Sequence, residues 1–557
     1  MAALVGAVAS AMLFASLRQP APPPSYTQIT FRRGAILSAR FAHDGQTVVY
    51  SAAWDGQPAQ VFTTRIGSGE ARSLDLEGVV LSVSSRDEVA VKRGRFFGRR
   101  RTGPGDPGTL AQISLAGGAP RDLLENVTAA DWDPEGRELA VVRRVEGVKR
   151  LEYPIGHVVY EGDVFGVRVL PGGHLVTTEA REGGRVGSWA FDLTLLDRAG
   201  RKTVLSPGGS EWPNLSWSEA TREILFAASL GDPRSIRAVG LDGRQRVLAR
   251  LPGDFDLHDI GPQSRLLLER RSRAGKVLGL VPGETREREL SWLEAGAALD
   301  ISADGRHVLL GDYGSDLLGV ESLYIRKTDG SPAVRLGEYR GLSLSPDGRS
   351  VLALPEGQDF SDRLLVVPTG AGERRELRHA SLTRIDAASW FPDGRRITVV
   401  NRGEHRQGQL LVWDVEMSAP PRLLSAKGDI RTPVVAPDGR TVAAAVAGTG
   451  PVLCPADGGP CRPVMAGAAQ DQPLQWSSDG RWLFVRRTPV YQPNTPTSWI
   501  DRIEVATGSR QPWKELRPAD PAGAYAIGGV YLTPDGKSYV YSVGASLGEL
   551  YLAEGLK

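Results

Sequence analysis

The sequence predicts an all-β fold: a β-propeller of twelve four-stranded blades, arranged as two six-bladed rings in tandem, with seven plus five as the alternative division. Three observations predict it. A short string, Ser or Asp then Pro-Asp-Gly or a relative, recurs between apolar strands. It ends at Asp44-Gly45, Glu135-Gly136, Asp304-Gly305, Asp347-Gly348, Asp393-Gly394, Asp438-Gly439, Asp479-Gly480 and Asp535-Gly536. From 304 to 479 the copies lie 43, 46, 45 and 41 residues apart, the length of a four-stranded blade. No long segment after residue 25 repeats its apolar residues at the helical period.

Each repeat is built on its turn. Pro presets φ, Asp caps its own backbone, and Gly takes the left-handed conformation, so two antiparallel strands are joined tightly. The first half is more degenerate, but its gaps fill at the expected places. Ser84-Ser85-Arg86-Asp87 lies between 44 and 135, and Pro171-Gly172-Gly173, Trp217-Ser218-Glu219 and Pro262-Gln263-Ser264 follow 135. A Trp just before the turn recurs at Trp132, Trp217, Trp390 and Trp476, and is expected to pack between neighbouring blades. The remainder of a repeat reads as two further strands, as in Gln409–Val415 followed by Arg422–Leu424.

The chain ends suggest how a ring closes. The last repeat reads as stopping after a third strand, Glu549–Ala553, and an orphan strand, Tyr26–Phe31, precedes the first repeat. The expectation is that residues 25–31 complete the last blade, removing two open sheet edges. The first ring would then span 32–293 and the second 294–557.

At 557 residues the chain exceeds one hydrophobic core. Its 67 basic and 65 acidic residues nearly cancel, so bulk charge does not point to nucleic acid. Residues 1–24 differ in character. Ala2 to Leu17 is uncharged and apolar or small, and Pro20, Pro22, Pro23 and Pro24 follow. As a helix, residues 2–17 would reach roughly 24 Å, short of the ~30 Å hydrocarbon core. The run reads as a short membrane anchor or a signal segment with a Pro-rich linker.

Motifs that suggest chemistry fail on context. Gly544-Ala545-Ser546-Leu547-Gly548 matches the nucleophile-elbow string, but only nine residues follow it and none is His. It reads as a Gly-rich hairpin loop of the last blade. Gly103-Pro104-Gly105-Asp106-Pro107-Gly108 matches a dinucleotide fingerprint, but its prolines remove backbone donors and a strand follows. The seven histidines show no metal-ligand spacing. No catalytic, cofactor or metal residues are assigned. Two features remain. Lys92, Arg93, Arg95, Arg99, Arg100 and Arg101 surround Phe96 and Phe97 as a candidate basic interaction loop, for headgroups or an acidic partner. Cys454 and Cys461 flank a Pro-Ala-Asp-Gly-Gly-Pro turn and form a candidate disulfide in an oxidising compartment.

The Ser-Pro-Asp-Gly repeat followed by an apolar strand resembles the TolB-like, WD-repeat-like propellers. Gln28-Ile29-Thr30-Phe31-Arg32-Arg33-Gly34, Trp390-Phe391-Pro392-Asp393-Gly394-Arg395-Arg396 and Glu549-Leu550-Tyr551-Leu552-Ala553-Glu554-Gly555-Leu556-Lys557 resemble the C-terminal sensor portion of bacterial transmembrane serine/threonine protein kinases. That resemblance implies a membrane-anchored, extracytoplasmic propeller module that binds a protein or small-molecule ligand without catalysis. The kinase strings V-A-I-K, H-R-D and D-F-G are absent, so kinase activity is not implied for this chain. The alternatives are a truncated receptor part of such a kinase and a propeller hydrolase or lyase with a loop-borne site.

Overall fold

The computed structural model describes residues 23–556, apart from 95, 97–105, 181–190, 211–213, 229–234, 294–295, 313–321, 356–360, 403–407, 426–427, 466–468 and 488–495. The described residues are all-β, with one short 3-10 turn at Pro262–Ser264. Antiparallel sheets of four strands recur along the chain, as in Val164–Val169 to Lys202–Ser210 and Ile385–Trp390 to Arg422–Ser425. Some neighbouring sheets are continuous because one long strand serves both. Ala71–Val83 pairs with Gln60–Arg65 through its first half and with Glu88–Arg93 through its second. Val334–Leu344 does the same in the second half of the chain.

The turn chemistry read from the sequence sets the period. A left-handed residue closes the first hairpin of each repeat at Gly45, Asp87, Gly136, Gly173, Arg222, Ser264, Gly305, Gly348, Gly394, Gly439, Gly480 and Gly536, with φ from 54° to 78°. Three of the degenerate copies, at Asp87, Arg222 and Ser264, keep the conformation without glycine. The cost of order 1–2 kcal/mol at Arg222 or Ser264 is carried by the strands on either side. The Asp of the turn accepts from the backbone two residues on, as Asp347 does from Arg349 at 3.0 Å.

The first strand carries a register shift against its second strand in eleven of these twelve hairpins, as between Ala298 and Asp300 or Gly341 and Ser343, and Ser216–Ser218 pairs without one. A bulge raises local twist and re-aims the residues after it. First strands then pack side by side. Gly34–Phe41 contacts Asp254–Ile260, and Gly296–Ile301 contacts both Val334–Leu344 and Ala524–Leu532. The apolar faces between sheets form a series of small cores rather than one large one. Trp132, Trp390 and Trp476 are buried in three of these inter-sheet cores. Trp217 departs from the expected pattern: it falls one place earlier in its repeat, stays half-buried and donates its indole N–H to Glu219 at 2.8 Å.

The largest correction concerns the chain ends. Glu549–Ala553 is not a third strand after a hairpin. It is the second half of one 16-residue strand, Tyr539–Glu554. That strand runs antiparallel to Leu266–Leu280 in unbroken register, from Leu266 opposite Ala553 to Leu280 opposite Tyr539. Gly544 to Gly548 therefore lies mid-strand and is not a loop. Its glycines supply room: a Cβ on Gly544 would stand 2.8 Å from the Tyr525 ring, and one on Gly548 2.6 Å from Glu269 Oε1.

The two long strands exchange partners along their length. Leu266–Arg271 lies between Asp254–Ile260 and Gly548–Ala553, and Ser25–Gln28 pairs outside the latter, with Gln28 opposite Tyr551. Farther along, Ala274–Leu280 lies between Tyr539–Ala545 and Arg288–Glu289, with Ala524–Leu532 beyond. The expected boundary at 293/294 is thus crossed from both sides. Residues 274–289 pair with the C-terminal sheets, and residues 548–554 pair with the N-terminal ones. Leu267, Leu550 and Leu552 are buried together with Ile36 and Tyr50, so the C-terminal strand is part of the N-terminal core.

Ending the chain at residue 545 is expected to expose Leu266–Arg271 and release Ser25–Gln28. Amide hydrogen exchange should show loss of protection at both segments, and the N-terminal sheets should lose their cooperative thermal transition.

Candidate functional site

One position controls what faces the centre of each group of sheets. It lies on the first strand, five residues before the left-handed turn residue. In the N-terminal sheets it carries Arg40, Ser82, Asp131, Arg168, Trp217 and Asp259. In the C-terminal sheets it carries Asp300, Ser343, Ser389, Val434, Gln475 and Tyr531. Aligning the repeats on the turn residue would have shown this contrast, which reading motifs along the chain missed.

In the N-terminal group these side chains close on one another. Arg168 lies 2.8 Å from Asp131 and 3.5 Å from Asp259. Asp131 also accepts from Val169 N–H at 2.9 Å, and Asp259 from Phe41 N–H at 2.9 Å. Arg168 donates to Leu215 O, and Arg40 to Leu81 O and His258 O. Two cations and two carboxylates thus tie neighbouring first strands while balancing in charge. Burial pushes the Asp131 carboxyl above its ordinary range, and Arg168 pulls the other way. Removing one partner of a buried network leaves the others uncompensated.

Among the described residues the C-terminal group shows no such closure. Its first strands line a cavity of about 680 Å³. At one mouth stand Arg340, Asp386, Thr432 and Arg486; at the other, the turn side, stand Pro346, Pro392, Pro437 and Pro534. Arg402 spans Asp386 and Asp429, each at 2.6 Å. Arg486 donates to Ile527 O and Gly528 O. Thr432 holds φ at 46°, a left-handed conformation rare for a β-branched residue and a form of strain that collects at functional sites. Between the mouths lie Asp300, Ser343, Ser389, Gln475 and Tyr531. Asp300 accepts from Leu344 N–H and Ile301 N–H, each at 2.8 Å. Burial pushes its carboxyl up to about 6, against these bonds and that of Ser343.

The residues singled out from sequence lie elsewhere. Lys92 is buried, donates to Asp106 O at 2.8 Å and stands over the Phe96 ring. Desolvation lowers its ammonium to about 8. Arg93 pairs with Asp122 at 2.7 Å. The strand Glu88–Arg93 turns Lys92 inward and leaves Arg93 partly exposed in its ion pair; Arg99, Arg100 and Arg101 lie outside the described residues with Arg95, as do residues 2–17. Cys454 and Cys461 are joined as a disulfide. The pairing of Leu453 with Arg462 brings them opposite each other across the turn. Among the described residues no group of three or more His, Cys, Asp or Glu could hold a metal. His258 is buried beside Glu269 at 3.0 Å, away from the cavity.

No family model matches the chain, and no curated protein matches it. Among solved structures it is similar to a TolB from Agrobacterium tumefaciens, at 17% identity and a TM-score of 0.39, over 49% of this chain and 99% of that one. It is also similar to the tricorn protease, at 11% identity and a TM-score of 0.30, over 90% of this chain and 46% of that one. A chain of the nidogen/laminin complex is similar at 13% identity and a TM-score of 0.34, over 45% of this chain and 95% of that one. The repeated four-stranded antiparallel sheets are consistent with a β-propeller. None of these likenesses carries an activity across to this chain.

Two outcomes are expected at these centres. Arg168→Ala should lower stability by about 3 kcal/mol, since Asp131 and Asp259 lose their shared cation; chemical denaturation measures it. Asp300 has its folded pKa raised from 3.8 to about 6, so its ionised form is disfavoured in the fold. The stability it contributes is full below about 4 and lost as pH rises through about 6. Thermal melts should therefore show the parent chain losing ground to Asp300→Asn across that window and level above it.

Proposed function

We propose that the chain is a non-catalytic binding module of two six-bladed propellers in tandem, and that the C-terminal propeller holds the ligand. The single observation carrying this reading is the contrast at the channel-facing position. Arg40, Asp131, Arg168 and Asp259 seal one centre, while serines, Gln475 and Tyr531 leave an accessible cavity in the other. A cavity of this size with a few convergent polar groups suits a small molecule or the side chains of a protein partner. The twelve left-handed turns and the side-by-side first strands support six blades in each ring.

The same reading places the module outside the cytoplasm, tethered by residues 2–17. The apolar run and the Pro-rich linker support the tether, and the disulfide suits an oxidising compartment. Ser25 pairs with Glu554 at the turn side of the N-terminal sheets, so a tether would hold that side toward the membrane. The N-terminal propeller then serves as a rigid spacer and the C-terminal one meets the ligand.

A thermal-shift screen of small polar molecules and short peptides tests the assignment. Ligands that raise Tm of the parent chain should fail to do so on Ser389→Trp, whose indole fills the channel. Equal shifts on both proteins would place the site elsewhere.

A further inference from the structure

The two centres can be compared residue by residue. Asp131 and Asp259 each use one oxygen to accept a neighbouring first strand's N–H and turn the other toward Arg168. Asp300 makes the same inter-strand bond, to Leu344 N–H. Its second oxygen takes the adjacent Ile301 N–H, the Ser343 side chain also bonds the carboxyl, and among the described residues no Lys or Arg pairs with it. In the N-terminal group Arg168 stands one repeat after Asp131 and two before Asp259, whereas the five channel-facing positions that follow Asp300, namely Ser343, Ser389, Val434, Gln475 and Tyr531, are all neutral. Asp300 is thus a carboxylate of the sealed type facing an unsealed cavity.

We propose that the C-terminal channel captures the basic side chain of a polypeptide partner, Arg or Lys, with its cation at Asp300. This rests on the reading that the C-terminal channel is the ligand site. Entry is from the turn side. Asp300 lies three residues inside the level of the rim prolines, about 10 Å at strand rise. A side chain with an alkyl stem of three or four carbons and a charged head covers most of that depth, its stem along the apolar rim and its head toward a polar partner. Pro346, Pro392, Pro437 and Pro534 rim the mouth and offer an apolar, stiff collar to that stem. Ser343, Ser389 and Gln475 supply oxygens around the head. The remaining charged groups of the cavity, Arg340, Asp386 and Arg486, stand at the opposite mouth, three residues beyond Asp300's level or about 10 Å. Asp386 is already engaged by Arg402, so the opposite mouth does not compete for the cation.

The test titrates the full chain with n-butylguanidinium, n-butylammonium and the neutral n-butylurea, followed by ligand-observed NMR. Binding of at least one cation, with butylurea at least tenfold weaker, is expected. Asp300→Asn should weaken the cation at least tenfold while Asp386→Asn changes it less than twofold. Ser389→Arg, which supplies a guanidinium from within, should abolish binding and raise Tm, which also guards against a variant that merely misfolds. Equal affinity for butylurea and butylguanidinium, or an unchanged affinity in Asp300→Asn, overturns the proposal. If the cations fail while screened ligands still lose their shift on Ser389→Trp, the channel remains the ligand site and only its charge preference is wrong. If both fail, the channel reading falls with it.

Discussion

The rest of the structure depends on the antiparallel pairing of Leu266–Leu280 with Tyr539–Glu554. Each strand starts in one group of sheets and finishes in the other. Neither group can therefore complete its final sheet from contiguous sequence. A pair of strands this long is held by backbone hydrogen bonds along its whole length and by apolar clusters on both flanks, with Leu267, Leu550 and Leu552 on one side and Leu278, Tyr539 and Tyr541 on the other. Tyr539 and Tyr541 both donate to Glu287 at 2.7 Å, fixing the segment that returns toward the C-terminal sheets. The arrangement leaves no free inner edge where the two groups meet, which removes a site for unwanted strand addition. Its consequence is coupling: disturbance of the last sixteen residues of strand reaches the first sheet of the chain.

Within that frame, a local rule decides whether a centre is filled or open. The bulge on eleven of the twelve first strands and the turn that follows bring one side chain per repeat to the centre. Where that side chain is long and charged, it ties its neighbours and occupies the space. Arg168 does both, bonding Leu215 O on one side and Asp131 on the other. Where it is Ser or Val, the backbone ties remain and the space stays open. Asp300 and Gln475 still bond the next first strand, at Leu344 and Leu532, so the C-terminal sheets keep their spacing without a central plug. Opening a channel in this architecture thus requires shortening a few side chains and leaves the sheets themselves unchanged. The strain at Thr432 lies at the rim of the same opening, where the first strand bends around its proline.

Much of the fold was legible in the sequence because its signals are local. A Pro-Asp-Gly turn acts on its own four residues, and its recurrence near 45 residues fixes the unit. The degenerate copies at Asp87, Gly173, Arg222 and Ser264 kept the left-handed conformation at the places the spacing required. The failures were also local in cause. Gly544 and Gly548 looked like a loop because glycine marks turns as well as close approaches, and only the neighbouring Tyr525 and Glu269 distinguish the two. Lys92 looked exposed because it stands in a basic run, but strand alternation turned it inward, where its stem packs and its ammonium finds Asp106 O.

By itself the sequence determined the strand content, the hairpin unit, the turn conformations, and the proximity of Cys454 to Cys461 across an eight-residue span. Each follows from interactions among residues close in the chain. The exchange of strands between the two groups, the sealed N-terminal centre and the open C-terminal one were decided only by tertiary structure. They depend on which of several similar edges meet, and on side chains 37 to 91 residues apart converging at a point. In a repeat protein every unit offers nearly the same edge, so pairing is selected by the closure of the whole and not by any segment within it.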